Sequence, residues 1–418
     1  MRDQEPDPSH PGRRLSTKEA AELLGVKPET VYAYVSRGQL SSQRVPGGRG
    51  STFDAQEVEV LARRNRRENG LSSGAISELS VRTRITLIDQ DRYYFRGVDA
   101  TELAARHSYE EIAEWLWTGR LRPGIAFTAP EATVAVARRA VGALPEHTGP
   151  VDRLRVAAIA AAAADPLRFD LSENAVLGTA RTLIPTLVAA LPPVRRGHRD
   201  TGPLAHRLWT RLTGWDADET SLQVLDTALG LLVDHDLAAS TLAVRVAASA
   251  RAHPYAAVSA GLGVIEGPLH GAASGLAHRL LLEVLDQGDA APVIAEELRA
   301  GRRIPGLGHR LYPGEDPRAR ALFTLLEEMP RAAPGLAAAR DIVTTTARHT
   351  PLQANVDLAL AVLTTSCGMP ATAGETIFAV ARTAGWIAHA LEEYGERPLR
   401  MRPSGHYVGP KPPQPLPE

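Results

Sequence analysis

Gly267-Pro268-Leu269-His270-Gly271, Pro305-Gly306-Leu307-Gly308-His309-Arg310 and Asn355-Val356-Asp357 place two histidines and an aspartate on short turns within a background of Ala/Leu-rich stretches. Glycine beside a functional side chain lets backbone approach closely, and Ala and Leu are the residues helices favour. Upstream lies Asp234-His235-Asp236, followed by a helical pattern with Ser240, Thr241 and Arg245. Downstream come Asp316-Pro317-Arg318-Ala319, the stretch Phe378-Ala379-Val380-Ala381-Arg382-Thr383-Ala384-Gly385-Trp386, and Arg400-Met401-Arg402-Pro403. Only 5% of residues are aromatic, so pleated sheets lack the side chains they select, and the fold class is mainly α. At 418 residues the chain is long enough for two or three compact units with a large core.

Composition excludes several classes. A formal charge of −1 is not that of a protein coating nucleic acid or membrane along its whole length, although it conceals a local basic segment. One cysteine, Cys367, permits neither an intrachain disulfide nor a CxxC metal site, which fits a reducing compartment; the expected location is the cytoplasm. The apolar run from Val156 to Ala164 is far below the roughly 18 residues a bilayer span needs, so no membrane partner is expected. Residues 1–12 are acidic and Pro-rich with no apolar segment, and read as disordered rather than as a signal peptide. No H-E-x-x-H occurs, and Gly306-Leu307-Gly308 is followed by neither a third glycine nor G-K-[ST], so metalloprotease and P-loop readings fail. The expected metal and cofactor complement is none.

The first unit, residues 13–67, opens on Ser16-Thr17-Lys18-Glu19, a capping-box pattern, with Ala20, Leu23 and Leu24 at helical spacing and Gly25 as the stop. Pro28 begins a second helix, 44–51 reads as a basic glycine-rich loop, and Phe53 to Leu61 reads as a third helix. Leu15 to Val26, Thr30-Val31-Tyr32-Ala33-Tyr34-Val35 and Gly38-Gln39-Leu40 resemble the small winged helix-turn-helix domains of the MerR and excisionase type. That resemblance implies Thr30, Tyr32 and Tyr34 facing a DNA groove and Arg37, Arg44 and Arg49 neutralising phosphates. The alternative is a domain that keeps this core and serves only to dimerise or tether. Residues 68–79 read as a polar linker after Arg63-Arg64-Asn65-Arg66-Arg67, and 410–418 as an extended Pro-rich tail.

From about residue 80 to 409, the β-prone Ile85 to Asp89 and Tyr93 to Gly97, the Leu116-Trp117-Thr118-Gly119-Arg120-Leu121 turn and the motifs quoted at the outset resemble, in order and in spacing, the citrate synthase family. The resemblance implies a large helical domain, 80–277 and 382–409, and a small helical domain, 278–381, that closes over the substrates. It implies His270, His309 and Asp357 as the catalytic trio, and His235, Arg318 and Arg382 as ligands of the 2-oxo acid. It further implies Arg402 entering the site of a partner subunit in a homodimer, and Pro305, Gly306, Leu307 and Gly308 at the CoA. Acetyl-CoA is then a cosubstrate, condensed with oxaloacetate and water to give citrate and CoA.

The residue types suit that chemistry. A thioester methyl is a far weaker acid than a carboxylic acid, so Asp357 is a mismatched base and each unit of mismatch costs about 1.4 kcal/mol. A neutral His270 would donate a hydrogen bond to the thioester oxygen as the enol forms, and His309 would donate to the ketone. Carboxylates call for planar bidentate arginines. The family pattern has Asn where this chain has Ser274, Asn near Ala238, and a Ser-Gly pair where it has Leu360-Ala361. These changes leave propionyl-CoA, and hence a 2-methylcitrate synthase, open as the alternative, since one methylene is worth only about 1–3 kcal/mol. A second alternative is a DNA-binding regulator whose synthase-like body senses oxaloacetate or acyl-CoA; the complete trio favours the enzyme.

Overall fold

A computed structural model describes residues 14–24, 26, 28–36, 40–44, 51–55, 57–58, 61, 81–195, 202–267, 270–271, 273–312, 314–401, 408–410 and 414. The expected disordered start and linker, Arg37, Arg49, Arg402, the Arg44 side chain and most of the tail lie outside the described residues. The chain separates into two compact units, residues 1–82 and 83–418.

In the first unit the helices Thr17–Leu24 and Pro28–Ser36 pack with a three-stranded antiparallel sheet in which Ser51–Asp54 lies between Arg14–Ser16 and Ser42–Arg44. Ser16 closes the expected capping box: its Oγ donates to Glu19 Oε2 at 2.7 Å, and Glu19 N donates back to Ser16 Oγ at 3.3 Å. The third helix, however, does not start at Phe53. That ring is buried in the central strand, opposite Leu15 and Ser42, and helix begins only at Ala55, after Asp54 accepts from Glu57 N. The reason is tertiary: Ser51-Thr52-Phe53 alternates correctly for a strand once two neighbours exist to pair with it. Leu15, Ala20, Leu24, Val31, Phe53 and Leu61 form the core.

The second unit opens with an antiparallel meander, Thr86–Asp89, Arg92–Phe95 and Val98–Asp99, as the β-prone pieces anticipated. Helices follow. Ala100–Arg106 is capped by Asp99, and Tyr109–Thr118 by a Ser108/Glu111 capping box at one end and left-handed Gly119 at the other. The 22-residue helix Ala373–Tyr394 is buried on every side along most of its length and packs against Tyr109–Thr118, Glu173–Ala190, Glu219–Leu232, Ala239–Ser249 and Pro254–Ile265. An all-round apolar helix is stable only inside such a bundle. Gly385 makes the packing close: a Cβ there would sit 2.2 Å from the Val233 carbonyl oxygen. A second group, Ala273–Gln287, Ala290–Arg299, Pro317–Leu326, Ala333–Ala347 and Val356–Ser366, packs mainly on itself. Ala273–Gln287 and Ala373–Tyr394 run unbroken through positions 278 and 381. Among the described residues no helix is long and apolar enough to cross a membrane.

Candidate active site

A cavity of about 510 Å³ opens between the two helix groups, and His235, His270, His309, Arg318, Asp357 and Arg382 all line it. Six side chains spread over some 150 positions of sequence thus share one wall system, completed by Ala238, Phe378 and Leu311 among others.

His270 sits on the turn between helices Pro254–Ile265 and Ala273–Gln287, its N–H bonded to the Gly267 carbonyl at 2.9 Å. The neighbouring Gly271 cannot be larger, because a Cβ would meet the Ile265 carbonyl at 2.5 Å. Its ring Nε2 lies 2.7 Å from Ser240 Oγ, and burial, helped by Arg382, pushes its pKa down to about 4. The imidazole is therefore neutral at pH 7. His309 is also neutral, held at about 4 by burial and by Arg318. Its Nδ1 accepts from Leu311 N at 3.1 Å, which puts the ring proton on Nε2.

Asp357 occupies the first turn of Val356–Ser366, with Asn355 as N-cap accepting from Asp357 N at 3.0 Å. Burial raises its pKa to about 6, Arg318 opposing and Asp316 adding to the rise. Asp316 is the brace of this wall. Its carboxylate takes Arg318 Nε at 3.0 Å and Nη2 at 2.8 Å, caps helix Pro317–Leu326 through Arg318 N, and accepts Val356 N at 3.1 Å. One buried carboxylate therefore fixes an arginine and the helix that carries Asp357. Asn355 ties in the glycine turn: its Nδ2 donates to the Gly308 carbonyl at 2.9 Å and its N–H to the Gly306 carbonyl at 2.9 Å. Gly306 and Gly308 have φ of +81° and +75°, a region that penalises any side chain.

Arg382 is buried, with its guanidinium 4.7 Å above the Phe378 ring and Nε donating to the Leu232 carbonyl at 2.9 Å. Its Nη2 has no hydrogen-bond partner among the described residues. Burial lowers its pKa to about 10, Asp234 opposing, so it remains a cation. Asp234 is itself held anionic against the pull of burial by His389 and Arg382, and it accepts from Thr86 Oγ1. His389 Nδ1 meets Arg245 Nη1 at 2.9 Å, and Arg245 pairs with Glu392. His235 is buried, neutral because burial and the two arginines hold its pKa well below the usual range, and its Nε2 is 2.7 Å from the Tyr312 hydroxyl.

Beside this cavity a second, of about 620 Å³, shares His309 and Arg310 and is lined by Ile304, Leu307, Gly308, Arg302, Arg303 and Leu352 among others. Pro305 and Gly306 lie on the same turn. Among the described residues no group of three or more His, Cys, Asp or Glu could hold a metal ion. In the first unit Thr30 and Tyr32 are exposed, but Tyr34 is partly buried against the core. Positions 30 and 32 lie on opposite sides of a helix, and the Tyr32 hydroxyl is 3.2 Å from Thr17 Oγ1, so the three do not present one face.

Sequence reasoning quoted Asp316, Asn355, Ser240 and Arg245 as parts of motifs without giving them work, and passed over Tyr312, His389 and Thr86. Asp316 was findable: an Asp immediately before Pro-Arg is an N-cap pattern. His389 and Tyr312 carried no local signal, because their partners are remote in sequence. Of the three departures from the family pattern, Ala238 lines the cavity and caps Ala239–Ser249 without a side-chain bond. Ser274 and Leu360 are buried and do not line it, and a Cβ on Gly374 would collide with Ser274 Oγ.

Comparison with known proteins gives two family matches: "Citrate synthase, C-terminal domain" over residues 75–404 and "Helix-turn-helix domain" over residues 14–66. The chain is 31% identical over 373 residues to a citrate synthase of Haloferax volcanii, covering 82% of this chain and 96% of that protein. It is 30% identical to citrate synthase 2 of Bacillus subtilis, covering 78% and 92%. A 2-methylcitrate synthase of Mycobacterium tuberculosis is 27% identical, over 75% of this chain and 84% of its own length. Solved citrate synthases from Thermotoga maritima and Pyrobaculum aerophilum superpose with TM-scores of 0.64 and 0.67 at 26% and 25% identity. They cover 84% and 90% of this chain and 98% and 97% of their own.

Proposed function

The chain belongs to the citrate synthase family, and we propose that its cavity joins acetyl-CoA to oxaloacetate and, with water, releases citrate and CoA through the six side chains that meet there. It is an acyltransferase that converts the acyl group to an alkyl on transfer. The observation that carries the assignment of roles is the convergence of two neutral histidines, one carboxylate of raised pKa and two buried arginines on one cavity.

Asp357 removes a proton from the thioester methyl. A pKa near 6 makes it a better base than an ordinary carboxylate while leaving it deprotonated at neutral pH. His270 holds the developing enolate. In the tautomer whose Nε2 accepts from the Ser240 hydroxyl, 2.7 Å away, the proton is on Nδ1 and is the one donated to the thioester oxygen. His309 meets the ketone with Nε2–H, and the enol carbon attacks the carbon so polarised. The new alkoxide takes a proton, giving a citryl thioester that water then cleaves to citrate and CoA. His235, Arg318 and Arg382 grip the carboxylates of oxaloacetate. Arg382 Nη2 and the Arg318 nitrogen not committed to Asp316 are suited to this.

The second cavity, with Pro305 to Gly308 at its edge, takes CoA. No metal or organic cofactor enters the scheme. Arg402, carried over by resemblance, completes the site of the partner in a cytoplasmic homodimer. Residues 278–381 act as the small domain, and its closure over 80–277 and 382–409 excludes water until the bond has formed.

Thiol release with oxaloacetate and acetyl-CoA or propionyl-CoA, with Asp357→Ala as control, is the test. Release above the control with acetyl-CoA supports the reading, release with propionyl-CoA alone moves it to 2-methylcitrate synthase, and release no greater than the control with either donor sinks it. Ala238 favours the roomier donor as a second reading, because it leaves the cavity wall small at a point where the family pattern is polar.

For the first unit we propose DNA binding. Over residues 13–67 eleven Lys and Arg stand against six Asp and Glu, a basic balance in a chain of net charge −1. A salt-dependent mobility shift with the DNA upstream of its own coding sequence supports this; no shift in low salt leaves a dimerising or tethering module.

A further inference from the structure

We propose that Tyr312 is a positioning residue for the oxo-acid site: its hydroxyl fixes the ring of His235 and its own ring braces His309 and Arg318. The inference rests on the citrate synthase reading above. Tyr312 does not line the cavity and is only 2% exposed, so it acts from behind the wall. Its hydroxyl lies 2.7 Å from His235 Nε2, while the His235 ring does line the cavity. Its ring centroid is 4.8 Å from that of His309 at an interplanar angle of 35°, and the Arg318 guanidinium carbon stands 5.8 Å from the same centroid. One phenol therefore touches three side chains given work on the oxo acid.

A histidine ring needs such a partner. Its terminal torsion is broad and two-fold, and a neutral imidazole has two tautomers, so direction and proton position are undefined until a neighbour sets them. His235 has T-shaped or tilted aromatic contacts with Tyr93, His309 and Tyr312, which limit tilt, while among the described residues its Nε2 shares a hydrogen bond with the Tyr312 hydroxyl. Burial keeps Tyr312 protonated by raising its pKa, so the hydroxyl is available as a donor across the working range. Its ring face also receives the Arg318 cation, whose Nε and Nη2 are already committed to Asp316. The tyrosine thereby helps aim what is left of that guanidinium into the cavity.

The variant Tyr312→Phe in the full-length protein keeps the ring and removes the hydroxyl. The expected result is a roughly 3- to 10-fold rise in KM for oxaloacetate, with KM for acetyl-CoA and kcat held within about twofold. Tyr312→Leu removes the ring as well and additionally lowers kcat through His309. Nitrogen-15 NMR of labelled histidines supplies a readout that a merely structural role would not move. In wild type the His235 resonances report a single neutral tautomer, and in Tyr312→Phe they move toward the average of two. An unchanged or lower oxaloacetate KM in an active Tyr312→Phe overturns the proposal. So does an equal loss toward both substrates, or wild-type His235 already averaging between tautomers, the last being decisive even where the variants fail to fold. A wild-type protein that neither turns over nor binds oxaloacetate calorimetrically defeats the underlying enzymatic reading instead.

Discussion

The two walls of the cavity are built differently. On one, Asp316 and Asn355 lock Arg318, the Gly306–Gly308 turn and the start of Val356–Ser366 into a single unit through a bidentate ion pair and backbone bonds. On the other, His270 is tied by one hydroxyl, His235 by another, and Arg382 by one carbonyl with Nη2 unpaired among the described residues. In the proposed reaction the braced wall carries the base and the ketone's acid, whose geometry must not drift, because general acid–base catalysis depends on hydrogen-bond reach. In the same scheme the lightly tied wall carries His270 for the thioester and His235 and Arg382 for a carboxylate, and Arg382 keeps Nη2 open for it. A charge-assisted network holds the first wall, and single hydrogen bonds hold the second.

Substitutions separate the walls by size of effect. Asp357→Ala should lower kcat by roughly 10²- to 10⁴-fold with little change in either KM, as read by thiol release. Asp316→Asn should destabilise the fold by about 3–5 kcal/mol in urea unfolding, because it strips a buried arginine of its anion. A loss below 1 kcal/mol would break the contrast between walls. On the lightly tied side, Arg382→Lys should raise the oxaloacetate KM with fold intact, by about 1.5–3 kcal/mol or roughly 10- to 150-fold. Ser240→Ala should cost least, about 0.5–1.5 kcal/mol, seen in kcat.

Proton titration sharpens the same comparison. With Asp357 as the proposed base and its pKa raised from 3.8 to about 6, kcat/KM should fall roughly tenfold per pH unit below about 6 rather than below 4. His270 and His309 stay neutral down to about 4 and take no part in that limb. They affect stability instead. The unfolded histidines bind protons near 6.5 and the folded ones only near 4, so stability is complete above 6.5 and declines as pH falls through that window. A denaturation midpoint that does not move between pH 7 and 5 would contradict the buried, neutral histidines.

Much of this was legible before any fold. The Ser16/Glu19 cap, the paired strands Thr86–Asp89 and Arg92–Phe95 and the helical composition are local, and local patterns read directly. Positions 235, 270, 309, 318, 357 and 382 were singled out by the resemblance of their ordered motifs to the citrate synthase family, and all six line one cavity. Phe53 was misread as helical because its strand exists only through pairing with Leu15 and Ser42. Ser274 and Leu360 looked like pocket residues, whereas only Ala238 of the three departures reaches the cavity.

The sequence by itself determined the mainly helical class and, through the ordered motifs, the family the chain resembles. The tertiary structure decided their condition: that both histidines are neutral, that Asp357 titrates near 6, and that Asp316, Tyr312 and His389 stand behind them. Protonation and orientation depend on burial and on neighbours distant in the chain, and those exist only after the helices have packed.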